Sequence, residues 1–272
     1  MIDPSKSLIY NITIQCSLDG FCFVLHDLEE GKIIDVDLYQ TSETDDVGIV
    51  MEALEKLLLK KGLYEKPVHS VRFIVSNRYC VLVPEEVFDE THAEAYLRFG
   101  HDLPQGYRLL STPMHIVKSV NVFAMPKIQE EILKKMWPDI TITHQSSIFL
   151  NSIFKEAHNG SETSAFVNVS SHFFELAIIE KQRLRFYNNF RFNTKDDFVY
   201  FLMFALEQHG WTGKDFPVYF TGLITNQSEI LQLCERYIKR IRFIRPDGSV
   251  DVDMSLNDTP FQYYYIPYKS LL

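Results

Sequence analysis

Apolar positions along the chain follow two rhythms. Leu8 to Cys16 and Phe21 to Leu25 are apolar runs rich in β-branched and aromatic residues, separated by Leu18-Asp19-Gly20. A second turn, Leu28 to Lys32, leads into Ile33 to Tyr39, where Ile34, Val36 and Leu38 alternate with Asp35 and Asp37. Alternation bounded by turn residues predicts three antiparallel strands, the third half-exposed with its aspartates on the face away from its apolar residues. The rhythm then changes. Val47, Val50, Met51, Leu54, Leu57 and Leu58 recur at helical spacing. They predict a helix from about Thr44, with Asp45 and Asp46 in its first turn, to a stop at Gly62. The early acids and the late Lys60 and Lys61 suit the helix dipole.

The pattern continues with two strands, "VHSVRFIVSN" and "CVLVPEEVF", and a short helix over Glu90 to Phe99. A polar connector with Pro104 and Gly106 precedes a buried strand, His115 to Pro126. Lys127 to Trp137 reads as an amphipathic helix, "DITITHQ" as a strand, and Ser146 to Ala157 as a helix with Ser146 as its N-cap. His158 to Ser164 is a polar connector. Beyond it the plan restarts. Ala165 to Phe192 reads as three strands. A helix follows from the N-cap Thr194 to His209, with Gly210 just past its end. Pro217 to Ile224 reads as a buried strand, Ser228 to Ile241 as a helix, and "IRFIRPDG" as a strand. The tail, Ser249 to Leu272, is acidic and then aromatic.

Strands alternating with amphipathic helices need sheets covered by helices, an α/β architecture with mixed sheets. Three strands joined by tight turns, written twice, point to an internal duplication of a βββ-α-β-α unit. Placing Gln15 on Asn168, an offset of 168 − 15 = 153, aligns Ser17 with Ser170, Phe21 with Phe174 and Phe23 with Leu176. The expected halves are residues 1–160, with inserted strands at about 68–110, and residues 161–272, which include the aromatic tail.

Composition narrows the function. The formal net charge of −9 disfavours delocalised contact with phosphate backbones, so nucleic acid is not an expected partner. The basic group Lys239, Arg240, Arg242 and Arg245 reads as a solvated helix end running into an edge strand. No stretch approaches the ~20 apolar residues that a membrane span needs. The start, "MIDPSKSLIY", lacks the pattern of a signal peptide. Cys16, Cys22, Cys80 and Cys234 form neither a CxxC pair nor zinc spacing, which favours a reducing, cytoplasmic setting. No metal site can be named. GxxxxGK[ST], GxGxxG and GxSxG are all absent. "DGSVDVDMSLND" lacks the bidentate Glu of a calcium loop and reads as a solvated acidic loop. "PFQYYYIPY" reads as a tail packed on the core, with a protein-binding patch as the alternative.

The duplicated plan resembles the actin-like ATPase (ribonuclease H-like) fold of actin, sugar kinases and the Hsp70 ATPase domain. "VRFIVSNRYCVLVP", "VNVFAMPKIQEEILKKMWPDITITHQSSIFLNSIF" and "SAFVNVSSHFFELAIIEKQRLRFYNNF" look most like the bacterial branch in type IV pilus and type II secretion platforms. Ala124, Pro126 and Lys127 match that branch's A-x-P-K strand end. The closest resemblance is to an uncharacterised bacterial family of that superfamily. It implies two hairpins, each with an Asp-x-Gly turn binding ATP phosphates and Mg²⁺, and a strand ending Gly-Gly at the adenosine. Gln15 and Ser17 stand at the first turn, and Asn168 and Ser170, followed by Ser171, at the second. Thr221 and Gly222 end the adenosine strand, and Leu223 crowds the place where an adenine would lie. Both carboxylates are amides here, and both turn glycines are serines.

Mg²⁺ takes hard anionic oxygens, and a neutral amide holds it poorly. Phosphoryl transfer depends on that metal and on close backbone approach. Asp19-Gly20 reads as an ordinary hairpin turn, with a restored carboxylate as the alternative. His172 reads as a polar turn residue. The expectation is therefore a degenerate, non-catalytic actin-like binding or scaffold module with a protein partner and no cofactor. The alternative is a divergent ATPase that binds ATP and Mg²⁺ in an interdomain cleft at Gln15, Ser17, Asp19, Gly20, Asn168, Ser170, Ser171, Thr221 and Gly222.

Overall fold

A computed structural model describes residues 9–41, 47–64, 67–157, 163–210 and 216–272. The predicted helix start at Thr44 to Asp46 and most of the His158 to Ser164 connector lie outside these residues. The chain divides into two compact units. One draws on Met1–Ser147, Asp247–Thr259 and Pro267–Leu272, the other on Ile148–Pro246 and Pro260–Ile266.

In the first unit, β1 (Tyr10–Cys16), β2 (Gly20–Asp27) and β3 (Lys32–Gln40) form an antiparallel meander. Helix α1 (Val47–Lys61) follows and ends before Gly62, whose φ is +67°. Strand β4 (Ser70–Val75) returns parallel to β1. The chain then builds a separate sheet from β5 (Cys80–Pro84), β6 (Tyr107–Met114) and β7 (Ser119–Pro126), in the order β5-β7-β6, with α2 (Ala93–Gly100) between β5 and β6. Helix α3 (Lys127–Met136) and β8 (Thr141–His144), which is parallel to β4, follow; α4 (Gln145–Ala157) starts in this unit and continues into the second from Ile148.

The second unit repeats the plan. Strands β9 (Ser164–Val169), β10 (Phe173–Glu180) and β11 (Arg183–Arg191) form the meander, and α5 (Lys195–Gln208) follows. Thr194 caps α5 as predicted, in a reciprocal capping box with Asp197. Strand β12 (Val218–Gly222) is parallel to β9, and after α6 (Glu229–Cys234), β13 (Ile241–Phe243) is parallel to β12. The tail adds β14 (Asp251–Val252), parallel to β3, and α7 (Tyr265–Lys269).

The sheet orders are β14-β3-β2-β1-β4-β8 and β11-β10-β9-β12-β13. Apart from β14 they are the same order. Gln15 faces Cys22 and Asn168 faces Glu175, so both hairpins obey the 153-residue offset. Ser17 N–H donates to the Gly20 carbonyl, and Ser170 N–H to the Phe173 carbonyl, each at 2.9 Å. The ladder breaks after Leu25 in one meander and after Ile178 in the other, again 178 − 25 = 153 residues apart. Even the bulge is duplicated. The core follows suit. Ile12, Ile14, Cys16, Phe21, Phe23 and Leu25 pack with α1 in one core. Their counterparts Ala165, Val167, Val169, Phe174, Leu176 and Ile178 pack with α5 in the other. Burying one large apolar side chain contributes roughly 1.5–3 kcal/mol, so two such layers give each unit its own core.

Five expectations change. Strand β6 occupies much of what reads as a polar connector and its sequel, because it is a sheet edge with an alternating, mostly half-exposed pattern and Pro113. Strand β7 starts at Ser119, after a 3₁₀ turn at His115–Val117. Helix α6 is far shorter than Ser228 to Ile241. On β3, Asp35 and Asp37 lie on the face of Leu25 and Phe23, where both accept from Lys61 at the end of α1. Leu38, on the other face, is exposed. Finally, the tail is neither one block nor a solvated loop. Asp247 accepts from Tyr268 at 2.9 Å and from Lys269 at 2.8 Å, and Asp253 pairs with Lys32 at 3.0 Å. Burial opposes charge on Asp247, but Lys269, Ser249 and Tyr268 hold its carboxyl well below the usual range. Tyr264, Tyr265 and Tyr268 are buried, as the packed-tail reading expects.

Candidate functional site

The first hairpin lies at the C-terminal end of β1. Gln15, Ser17, Asp19 and Gly20 come together there. Ser17 Oγ donates to Asp19 Oδ1 at 2.5 Å and to the Gly20 carbonyl at 3.1 Å. Thr41 N–H donates to the Asp19 carbonyl, tying the end of β3 to the turn. Gly20 is required by proximity: a Cβ there would meet the Tyr39 carbonyl oxygen at 2.1 Å. Gln15 projects to the opposite face from the core residues Ile14 and Cys16. Its Nε2 donates to Gln145 Oε1 at 3.0 Å, and Ser76 Oγ donates to the same oxygen at 2.6 Å. One amide at the start of α4 thus gathers the ends of β1 and β4.

Sequence reasoning missed this polar group. Gln145, Ser146 and Ser147 are buried, as are Asn121 and His144. Asn121 Nδ2 donates to Ser146 Oγ and Ser147 Oγ, each at 2.8 Å. Ser146 is not the N-cap. It lies inside α4, and its N–H donates back to His144 Nδ1 at 3.2 Å. Burial pushes the His144 imidazole down to about 3, so it is neutral and Nδ1 accepts. The signal was present in "HQSS", four polar residues at a strand-to-helix junction where a single cap would suffice.

The second hairpin has the same backbone and different chemistry. Asn168 is buried, and its Nδ2 donates to Glu175 Oε2 at 2.7 Å. Tyr187 Oη donates to Glu175 Oε1 at 2.6 Å. The Glu175 side chain is 1% exposed, a carboxyl held between amide and phenol. Ser170 and Ser171 are half-buried, and His172 is exposed. Phe192 N–H donates to the His172 carbonyl, matching Thr41 on Asp19. Thr221 pairs with Asn168 and Gly222 with Val169. Gly222 has φ +87°, and a Cβ there would meet the Val169 oxygen at 2.1 Å and Asn168 Oδ1 at 2.8 Å. Thr221, Gly222 and Asn168 are therefore one packed group. Beyond it Leu223 and Ile224 border a pocket with Phe192, Thr194, Lys195 and Glu229, whose last two residues form an ion pair at 2.8 Å.

Two strand ends with matched hairpins invite comparison with known proteins. The model of a family described as "Protein of unknown function (DUF3822)" matches residues 2–241. This chain belongs to the DUF3822 family. Among solved structures it is similar to a protein from Bacteroides thetaiotaomicron with an actin-like ATPase fold and unknown function. The two are 17% identical, with a TM-score of 0.79 over 90% of this chain and 94% of that one. It is also similar to the PilM–PilN type IV pilus biogenesis complex, at 11% identity and a TM-score of 0.65 over 95% of this chain and 96% of that one. These likenesses show the fold, which is actin-like. No curated protein matches the chain. No helix among the described residues is long and apolar enough to cross a membrane.

Proposed function

We propose that this DUF3822 chain is a cytoplasmic binding or scaffold module on an actin-like fold whose two phosphate hairpins no longer organise Mg²⁺. The observation that carries the reading is what the two amides do. Where the resemblance implies carboxylates, Gln15 donates to Gln145 and Asn168 donates to Glu175, at 3.0 and 2.7 Å. An Asp in either place would set a carboxylate against an acceptor oxygen. The amides therefore fit the interior of the protein rather than a hydrated cation. The four buried free thiols suit a reducing compartment. That PilM is found with PilN in a complex supports a protein as the partner.

One observation favours a second reading, a divergent ATP-binding protein. Asp19 keeps a carboxylate in the first turn, oriented by Ser17 Oγ at 2.5 Å. Thermal unfolding with millimolar ATP, with and without Mg²⁺, separates the two. A ligand at a hundred times its Kd stabilises by about 2.7 kcal/mol. The expected result is an unchanged Tm in all conditions. A Mg²⁺-dependent rise that Asp19→Asn abolishes would replace the binding-module reading with the ATPase one.

A further inference from the structure

The two meanders end differently at their outer edges. Strand β3 is covered by β14, which pairs at Lys32 and Ile33. Asp253 N–H donates to the Ile33 carbonyl at 2.8 Å, and its carboxylate pairs with Lys32 at 3.0 Å. Strand β11 holds the same place in the second unit, and among the described residues no strand covers it. The pairing registers make the match residue by residue. Asp27 faces Lys32 and Glu180 faces Arg183, and 180 − 27 = 153. Arg183 is thus the counterpart of Lys32, and Leu184 that of Ile33.

The geometry points to β11 as a docking edge for an extended, acidic segment of a partner protein, added as a parallel strand as β14 is added to β3. Charge supports that occupant. In a chain of net charge −9, this edge presents Arg183, Arg185 and Arg191, all exposed. Arg185 pairs with Glu180 at 3.0 Å, whereas Arg183 has no ion pair among the described residues. Its counterpart Lys32 holds Asp253, the residue that follows the covering strand. Charge alone on a sheet edge guards against unwanted pairing. Here it stands beside exposed aromatic rings, which give no such protection. Tyr200 and Phe204 on α5 are 64% and 52% exposed and stack on each other. They continue through Phe201 to Phe190 of β11. An added strand would gain backbone hydrogen bonds from the edge, ion pairs from its acidic residues and apolar contact from this stripe.

The chain supplies its own probe. Residues 249–255, "SVDVDMS", alternate apolar and acidic positions and contain β14, the strand that covers β3. The full chain is titrated with this synthetic peptide at up to millimolar concentration, and binding is mapped by amide hydrogen exchange. The expected result is protection within residues 183–191, at least about tenfold weaker binding to Arg183→Glu, and recovery of that variant's binding by a peptide carrying Asp251→Lys and Asp253→Lys. No protection on β11, or protection indifferent to Arg183→Glu, overturns the proposal. So does a dimer in sedimentation that Arg183→Glu dissolves, since the occupant would then be a second copy. The inference rests on the binding-module reading for the kind of partner. The two fail separately: a nucleotide shift leaves β11 untested, and an unprotected β11 leaves the hairpins as they are.

Discussion

The two hairpins share a backbone and almost no chemistry. Each has a four-residue turn closed by a serine N–H, a bulge at the same place and a third strand tied back to the turn. Yet the first unit joins its strand end to a helix start through Gln15, Gln145 and Ser76, and the second joins strand to strand through Asn168, Glu175 and Tyr187. Their glycines have exchanged places as well. Gly20 corresponds to Phe173, and Gly222, which pairs with Val169, corresponds to Val75, which pairs with Cys16. The fold tolerates this because it is set by alternating apolar positions on one face of each sheet. The polar residues lie on the other face, where any arrangement that satisfies its own hydrogen bonds is stable.

The sharpest break in the comparison is Gly222→Ala. It forces a left-handed residue and a Cβ into the Val169 backbone, so a loss of about 3 kcal/mol or more is expected in denaturant unfolding. Gly20→Ala meets one carbonyl without a strained φ, and about 2 kcal/mol is expected. A second unit no more sensitive than the first would show that the Gly222 group yields.

The next effect is a dependence on pH that belongs to the first unit. His144 has a folded pKa of about 3, below its unfolded value near 6.5. The unfolded state therefore binds the extra proton between these values. The stabilisation is complete above pH 6.5 and declines as pH falls toward 3, by about 2 kcal/mol at pH 5. Unfolding at pH 7 and pH 5 checks this, and His144→Gln should flatten the difference.

Asn168→Ala should cost about 2 kcal/mol by leaving a buried carboxyl one donor short, and Gln15→Ala about 1 kcal/mol, because a neutral, half-buried amide is lost. Equal costs would mean that Glu175 finds another donor. The smallest effect belongs to the inserted sheet, which has no counterpart among the described residues of the second unit. Phe99 on α2 is 97% exposed, and Phe99→Ser should change stability by less than about 0.5 kcal/mol.

The duplication was legible in the sequence because apolar alternation is dictated by burial, and the offset from Gln15 to Asn168 carried through to the ladder register. The edges were not. Strand β6 is half-exposed and reads as a connector, and the two-residue strand β14 sits within an acidic stretch with no pattern long enough to detect. The positions of Gln15 and Asn168 were legible too, but their partners were not. Glu175 lies directly across from Asn168, which only the closed hairpin reveals, and Gln145 reaches Gln15 from 130 residues away. Long-range polar pairing leaves no local period to read.

The strand that covers β3 has a consequence for how the protein is made. The ribosome finishes β3 at Gln40 and reaches β14 only at Asp251, 251 − 40 = 211 residues later. At roughly 5–20 residues per second, the nascent chain carries an uncovered edge for about 10 to 40 s. Throughout that interval Lys32 awaits Asp253, and the first unit emerges first but closes only when the tail arrives.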